Sequence, residues 1–356
     1  MNKKKLVSIS IIIPIYNSSN YIGLCIDSIF SQECEVADIE CILVNDCTPD
    51  NSMEIIHNKL NDYEGKIIFK EIQLDINSGV CTARNAGIKI SIGDYIFFVD
   101  SDDMLQPGTI QYFIEGMMNN GGYNVDVVMG NSFDNFDKIE LMHFDKDNPF
   151  LIDNSDESAL RELLSRELFH TPWNKLVKRS FFTEHQLYFQ KGIIDEDLLW
   201  SYLLFRQMRN ILIMPRITYI YNKDNPLNIT NTSGKRIRTI IESRIQICNI
   251  ITDTPPRSKK SHIDYYAYIL FILVRAINLF ETHRKGFYDF HDDLYLLRNR
   301  FLKSIWKEKY YLLYLYSLFY VVKPFCFITH IYVFRRYYDR ITKLIVHLQN
   351  TLTFII

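Results

Sequence analysis

Residues 10–17 read Ser-Ile-Ile-Ile-Pro-Ile-Tyr-Asn, a run of branched apolar residues that ends in a proline and two side chains with polar groups. Successive isoleucines favour a strand buried on both faces, as in a parallel sheet. The lysines at 3–5 suggest a secretory signal, but serines interrupt the apolar stretch, Pro14 ends it and no small-residue cleavage site follows. We therefore predict a buried first strand.

The pattern around this strand repeats through the first half of the chain. Strands are predicted at residues 7–13, 39–45, 66–72, 95–99 and 125–129, and helices at 20–31, 52–60, 80–90 and 107–118. Such alternation indicates an α/β fold, Rossmann-like, with a mainly parallel sheet and helices on both faces. Ligands of these sheets bind outside the carboxyl ends of the strands, so functional residues are expected in the loops there.

The second half has a different pattern. Residues 194–208 predict a helix and residues 211–221 an extended segment, and from residue 235 the pattern is helical, with a break at the Thr-Pro-Pro of 254–256. We predict a nucleotide-binding domain at about 1–231, with a donor half at about 1–130 and an acceptor half at about 131–231. A helical region at about 232–356 follows it.

Composition excludes several classes of protein. The seven cysteines are scattered without a Cys-x-x-Cys pair, which favours neither a disulfide framework nor a zinc site, and fits a reducing cytosol. The formal net charge of −2 gives no reason to expect a nucleic-acid partner.

Four predicted strand ends carry polar residues that suit a nucleotide diphosphate: 14–17, 45–46, 77–87 and 100–103. A leaving diphosphate needs a cation to stabilise its charge, and Mg²⁺ or Mn²⁺ is held by one or two carboxylates together with phosphate oxygens. Asp100 and Asp102 can supply these carboxylates. Taken alone, the acidic cluster could be a solvated turn or a helix cap. Asp103 could support the metal ligands or cap the helix that begins near Pro107.

Three further side chains suit the nucleotide itself. Arg84, on the helix after Gly79, can reach a base or phosphate, and Asp46 can accept a hydrogen bond from a base N–H. Tyr16 can pack on the face of the base, or can be an aromatic residue of the core.

These segments, in this order and spacing, closely resemble the family 2 glycosyltransferases, which have a GT-A fold; the resemblance covers about residues 7–225. It implies a nucleotide-diphospho-sugar donor, a divalent metal and inversion at the anomeric carbon. The nucleotide and sugar site that it implies consists of Pro14, Tyr16, Asn17, Asp46, Asn77, Arg84, Asp100 and Trp173. The implied metal and diphosphate ligands are Asp100 and Asp102.

Two residues depart from the family pattern. Cys47 and Pro49 stand where the family usually has Gly and Thr, in a loop that needs a tight backbone near the nucleotide.

An inverting transfer also needs a base that takes the proton of the attacking hydroxyl. The acidic segment 192–200 resembles the family's Glu-Asp motif, so Asp197 is predicted as the base, with Glu196 orienting it or the acceptor. Acidic residues at a helix amino terminus are also favoured by the helix dipole alone. Upstream, Trp173 can stack on a sugar or belong to the core.

The helical region is basic. From residue 235 to the end the sequence has 20 Lys+Arg and 9 Asp+Glu, a net charge of +11. Residues 310–334 are nearly all apolar or aromatic, but Lys323-Pro324 divide them into pieces too short to span a bilayer. These helices are predicted either to pack on the catalytic domain or to lie in the membrane interface.

The sequence therefore predicts an inverting glycosyltransferase that moves one sugar, from a UDP-sugar, to a lipid-linked oligosaccharide or surface polysaccharide at the inner membrane face. A processive synthase would show several spanning helices and a Gln-x-x-Arg-Trp motif, neither of which is present. A nucleotidyltransferase would need a Gly-rich basic loop after the first strand, whereas residues 16–19 read Tyr-Asn-Ser-Ser. A non-catalytic glycan-binding relative remains a third alternative.

Overall fold

The computed structural model describes residues 7–120, 122–141, 147–157, 170–222, 234–282 and 290–309. These residues form two compact units. The first unit contains the described residues up to 156, together with 170–191 and 200–222, and the second contains residue 157, residues 192–199 and the described residues from 234 onward. The segment 192–199 therefore groups with the later helices, whereas the sequence pattern placed it in the first domain.

The first unit is built on one sheet. Its strands are β1 (Val7–Ile15), β2 (Ala37–Asn45), β3 (Ile68–Gln73), β4 (Tyr95–Phe98), β5 (Met104–Leu105), β6 (Val127–Asp134), β7 (Ile139–Glu140), β8 (Phe150–Asp153), β9 (Lys175–Lys178) and β10 (Asn210–Tyr221). The helices up to residue 207 are α1 (Ile22–Phe30), α2 (Ser52–Asn61), α3 (Val80–Ile90), α4 (Thr109–Asn119), α5 (Ser180–Glu184) and α6 (Glu196–Gln207). The helices and strands predicted up to residue 221 are all present, with ends that differ by a few residues.

The strand order is β3-β2-β1-β4-β9-β6-β10-β5, with β7 paired to β6 and β8 to β10. Strands β1, β2, β3 and β4 pair in parallel, as do β6 and β10. Strand β9 lies antiparallel between β4 and β6. The α/β class is confirmed. Beyond β4 the sheet is mixed rather than mainly parallel. The sequence did not predict the antiparallel strands there, because β9 and the other short strands are too brief to show a period.

Both faces of the sheet are covered, as predicted. Alternate residues of β1, such as Ile11 and Ile13, belong to a core that includes buried side chains of α1, α2 and α4. On the other face, a Cβ at Gly87 of α3 would lie 2.5 Å from Ile12 Cγ2. Glycine therefore lets α3 approach β1 closely enough to bury this face.

The second unit contains α7 (Gly234–Asp253), α8 (His262–Thr282) and α9 (Phe290–Lys307). The break between α7 and α8 includes the predicted Thr-Pro-Pro segment. No helix among the described residues has the length and apolar character required to cross a bilayer. The apolar run 310–334, predicted either to pack on the catalytic domain or to lie in the membrane interface, lies outside the described residues.

Candidate active site

The loop after β1 is held by the loop after β2 through backbone amides. The amide of Asn17 donates to Thr48 Oγ1 at 2.8 Å, and the amide of Ser19 donates to Asp50 Oδ2 at 2.9 Å. Asp50 Oδ1 also accepts from the hydroxyls of Thr48 (2.7 Å) and Ser52 (2.6 Å). The two loops therefore form one hydrogen-bonded structure at the carboxyl end of the sheet.

Asp50 is the centre of this structure. Burial opposes its charge, but the hydrogen bonds from Ser52, Thr48 and the amide of Ser19 outweigh that effect and lower the pKa of Asp50 below its ordinary value. Asp50 is thus an ionised acceptor at neutral pH, with a structural role.

The loop after β2 contains a residue in the left-handed region. Cys47 has φ +54° and an exposed side chain, and Asn17 in the adjacent loop has φ +51°. Asparagine tolerates this conformation, whereas cysteine has no side-chain acceptor with which to stabilise it. The position where the family usually has glycine therefore does require a glycine-like backbone.

Asp46 links β2 to the start of α3. Its side chain is 2% exposed, and its two carboxylate oxygens accept from the amides of Ser78 (2.7 Å) and Gly79 (2.8 Å). The Gly79 amide also lies 3.2 Å from Asn77 Oδ1. Asp46 therefore orients the amino terminus of α3, and a hydrogen bond to a nucleotide base would use its remaining lone pairs.

Arg84 reaches from α3 to the loop after β4. Its Nη2 lies 2.8 Å from Asp100 Oδ1, and its guanidinium stacks over the ring of Phe189 at 5.1 Å from the ring centroid. The Arg84 side chain is buried, while Asp100 is partly exposed. The ion pair fixes the direction of Asp100 and compensates part of its charge.

Asp103 has a different environment from its neighbours. It is 1% exposed, and its carboxylate accepts from Tyr219 Oη at 2.6 Å and from the amide of Asn222 at 2.8 Å. Burial, reinforced by the charges of Asp102 and Asp100, raises the pKa of Asp103 well above its ordinary value. Asp103 therefore anchors the loop to β10 and is not available as an open ligand.

The two remaining acids of this loop fit the metal that the family implies. Asp100 and Asp102 are partly exposed and one residue apart. Two such carboxylates suit Mg²⁺ or Mn²⁺ when phosphate oxygens and water complete the shell. Within the described parts of the chain, no three acidic, histidine or cysteine side chains are arranged to hold a metal by themselves.

The aromatic residues predicted to contact the donor differ in exposure. Tyr16 is 43% exposed at the end of β1. Trp173 is only 7% exposed and stacks on Tyr219 and Tyr221 at centroid distances of 4.5 and 5.8 Å. Trp173 therefore offers little surface to a sugar, and its contacts support a packing role. Its stacking on a ligand stays a prediction.

In the second unit, the acidic segment is held by an arginine of α7. Asp195 has φ +62°, and its Oδ2 accepts from Arg244 Nε at 2.8 Å. Arg244 Nη1 also donates to the carbonyl of Arg275 at 3.1 Å, while the hydroxyl of Ser243 accepts from the amide of Ile194 at 2.9 Å. These contacts fix the backbone immediately before α6.

Glu196 and Asp197 form the first turn of α6, and both are partly exposed. Carboxylates at this position are stabilised by the amino-terminal end of the helix dipole. Their position agrees with the predicted helix start, while their roles as base and orienting residue stay predictions.

Sequence reasoning missed the residues that support the site from a distance. Tyr219, Phe189 and Arg244 contact Asp103, Arg84 and Asp195 respectively, and each lies more than 45 positions along the chain from its partner. Nothing in their local sequence marks them, because such partners are brought together only by the completed fold.

The site defines a class: an α/β protein in which hydrogen-bonded loops and two partly exposed carboxylates lie at the carboxyl ends of parallel strands. Residues 10–185 match the sequence profile described as Glycosyl transferase family 2, and this region of the chain is similar to that family.

The similarity extends to named proteins. The chain is 32% identical over 230 residues to the uncharacterized glycosyltransferase EpsJ of Bacillus subtilis, over 64% of each protein. It is 25% identical over 237 residues to the poly(ribitol-phosphate) β-N-acetylglucosaminyltransferase TarP of Staphylococcus aureus, over 64% of this chain and 68% of TarP. The match thus covers less than two thirds of EpsJ, and it covers only 30% of another curated glycosyltransferase.

Among solved structures, residues 1–349 of S. aureus TarS in complex with UDP-GlcNAc align with a TM-score of 0.64 at 19% identity, over 84% of this chain and 81% of that one. This likeness concerns the fold, and it confirms the GT-A fold expected from the sequence.

Proposed function

We propose that this protein is an inverting glycosyltransferase that moves one sugar from a UDP-sugar to a hydroxyl of a lipid-linked oligosaccharide or surface polysaccharide. The observation that carries the proposal is the Arg84–Asp100 ion pair beside Asp102, at the carboxyl ends of the strands of a chain similar to family 2 glycosyltransferases. TarS binds UDP-GlcNAc and TarP is named for transfer to poly(ribitol phosphate), which supports a UDP-sugar and a surface-polymer acceptor.

On the donor side, Tyr16 packs on the base and the loop amides near Asn17 border the nucleotide, while Asp46 and Asn77 hold the start of α3 against it. Asp100 and Asp102 would hold Mg²⁺ or Mn²⁺, and such an ion would neutralise part of the charge of the diphosphate. Arg84 keeps Asp100 directed to this task through the 2.8 Å ion pair.

On the acceptor side, Asp197 takes the proton of the attacking hydroxyl and Glu196 orients it. In a single displacement the hydroxyl attacks opposite the leaving diphosphate, so its base lies on the acceptor side. A partly exposed carboxylate on a rigid element suits this role. The first turn of α6 supplies one, next to the Asp195–Arg244 pair.

The place of action that we propose is the inner face of the cell membrane, where the chain acts as a peripheral protein. The basic composition of residues 235–356 supports this, since anionic lipids attract such segments.

The first test is transfer and hydrolysis across a panel of UDP-, GDP- and dTDP-sugars with Mg²⁺ or Mn²⁺. We expect activity with one UDP-sugar, reduced about 10³-fold in Asp102→Asn. In Asp197→Asn we expect transfer to a hydroxyl acceptor to fall by about 10²–10⁴-fold, while donor binding is kept. The exposed Asp62, at the end of α2, provides a matched control as Asp62→Asn and should behave as wild type.

The products separate this function from the alternatives. Release of UDP with an inverted anomeric product, followed by nuclear magnetic resonance, supports the proposal, whereas release of pyrophosphate identifies a nucleotidyltransferase. A folded protein that binds a sugar nucleotide but turns over none under any of these conditions contradicts the enzyme assignment and favours a binding protein.

A further inference from the structure

Helix α9 has two faces of different character. One face is buried within the second unit, and its residues are Phe290, Leu294, Leu297, Phe301, Leu302 and Ile305. The opposite face of an amphipathic helix is expected to carry polar and charged residues. In α9 the opposite face carries large apolar residues as well.

Three large apolar side chains on α9 are exposed: Tyr295 (48%), Leu296 (65%) and Trp306 (56%). At about 100° per residue, these positions and those of Lys303 and Lys307 fall within an arc of about 120°. We call this arc the outer face of α9. Exposed apolar residues that share one face mark an interaction surface more often than scattered ones do.

The charges on the outer face are one acid, Asp292 in the first turn of α9, and two lysines in its last turns, and the lysines select the kind of partner. Lys303 and Lys307 are exposed and lie on either side of Leu296 around the helix, in the same carboxyl-terminal turns as Trp306. Arg300, next to the face, is already engaged by Asp253 at 2.6 Å. Tryptophan and tyrosine with adjacent lysines are the combination that suits a membrane interface, where the rings enter the headgroup region and the ammonium groups meet anionic phosphates.

The sequence continues this character beyond α9. Residues 310–334 are nearly all apolar or aromatic and are followed by Arg335 and Arg336. An apolar and basic surface on α9 that is followed by an apolar and basic sequence favours a lipid surface over a small protein partner.

We propose that the outer face of α9 binds the surface of an anionic lipid bilayer, with Trp306, Tyr295 and Leu296 in the interface and Lys303 and Lys307 on the headgroups. These residues would account for the membrane association proposed above, and their binding to lipid does not depend on whether the protein transfers sugar.

Tryptophan fluorescence provides a specific test on the full-length chain. Of the three tryptophans, Trp173 and Trp200 are 7% and 1% exposed, so Trp306 is the one that senses solvent. With phosphatidylcholine vesicles containing phosphatidylglycerol, we expect the emission of Trp306 to shift to the blue and to be shielded from acrylamide. Trp306→Phe should remove this change, and vesicles of phosphatidylcholine alone should not produce it.

Charge reversal tests the lysines. The double variant Lys303→Glu/Lys307→Glu should bind anionic vesicles at least about tenfold more weakly in co-sedimentation, since each basic residue near the surface contributes substantially. Lys66→Glu/Lys89→Glu, at two exposed lysines of the first unit, is the matched control with the same change of charge and should bind as wild type.

Three results would overturn the proposal. Equal vesicle binding by both double variants removes the role of the lysines. Acrylamide protection of Trp306 without lipid, in a monomeric protein, shows that the chain's own residues cover the face. A lipid-free dimer in sedimentation velocity that Trp306→Phe/Leu296→Ser dissociates shows that a second copy covers it.

Discussion

The strand-end loops of the first unit and the segment 192–199 of the second unit both present carboxylates, but they are held in different ways. In the strand-end loops, Asp46 and Asp50 each accept two or more hydrogen bonds, most of them from backbone amides. In the segment, Asp195 is held by a single side chain among the described residues, that of Arg244. A carboxylate held by several backbone hydrogen bonds keeps its position when one partner is lost. A carboxylate held by a single side chain depends on that one residue for its position.

Among the residues that support these carboxylates, the largest effect is therefore expected at Arg244. In Arg244→Ala the start of α6 loses its ion pair with Asp195, and small misplacement of a catalytic carboxylate lowers turnover by about 10²-fold. We expect kcat of sugar transfer to fall by about that factor, with an unchanged KM for the donor, and Arg244→Lys to restore part of kcat. Steady-state kinetics on both substrates measures this.

The control for Arg244 is another Arg–Asp pair of the second unit. Arg300 lies 2.6 Å from Asp253, but both side chains are largely exposed, and such pairs contribute little. Arg300→Ala should keep wild-type kcat in the absence of lipid. Equal losses of kcat in both variants would contradict a positioning role for Arg244. So would a loss of kcat in Arg244→Ala that a thermal melt attributes to unfolding.

The next effect is on stability, at Gly79. Its φ of +83° and ψ of 162° belong to a region that is open essentially only to glycine, and its amide donates to Asp46. Gly79→Ala should lower the free energy of unfolding by about 2 kcal/mol. Gly108, with φ +71° and ψ 16°, lies in the left-handed helical region, which asparagine tolerates. Gly108→Asn should therefore change the free energy of unfolding by well under about 1 kcal/mol. Urea denaturation compares the two, and similar losses would contradict the assigned strain.

A smaller effect is expected at Asp50, and it depends on pH. The pKa of Asp50 is lowered in the folded protein, so its contribution to stability is full above the unfolded-state pKa and is lost as pH falls. Asp50→Asn should cost about 1–2 kcal/mol at pH 7, discounted for partial exposure, and the difference from wild type should shrink below about pH 4. A difference that is constant from pH 7 to pH 3 would show that the charge is irrelevant.

The smallest effect is expected at Cys47. Its φ of +54° disfavours a side chain by about 1 kcal/mol, while glycine adds disorder to the unfolded chain that offsets part of the gain. Cys47→Gly should therefore raise the free energy of unfolding by less than about 1 kcal/mol. A clear destabilisation would mean that the cysteine side chain makes contacts that outweigh the backbone strain.

The sequence predicted the parts of this protein that are encoded locally. Helix α3 begins and ends at the predicted residues 80 and 90, and the acids at 100–103 follow a strand as expected. It did not predict β9, because four residues show no reliable period, nor that Trp173 is buried, because stacking on Tyr219 depends on a strand far along the chain. The sequence separated Asp102 from Asp103, but the partners that bury Asp103, which are Tyr219 and the amide of Asn222, came only from the fold.

The place of β9 has a consequence for synthesis. Strand β4 is formed by Tyr95–Phe98, all buried, and one of its two edges is paired by residues 176–178. A nascent chain that has emerged only as far as α4 can assemble β1, β2, β3 and β4, yet it leaves an apolar strand edge open until roughly sixty more residues have been translated. That interval is when the protein is most exposed to aggregation, and chains truncated before residue 175 should keep that edge permanently open.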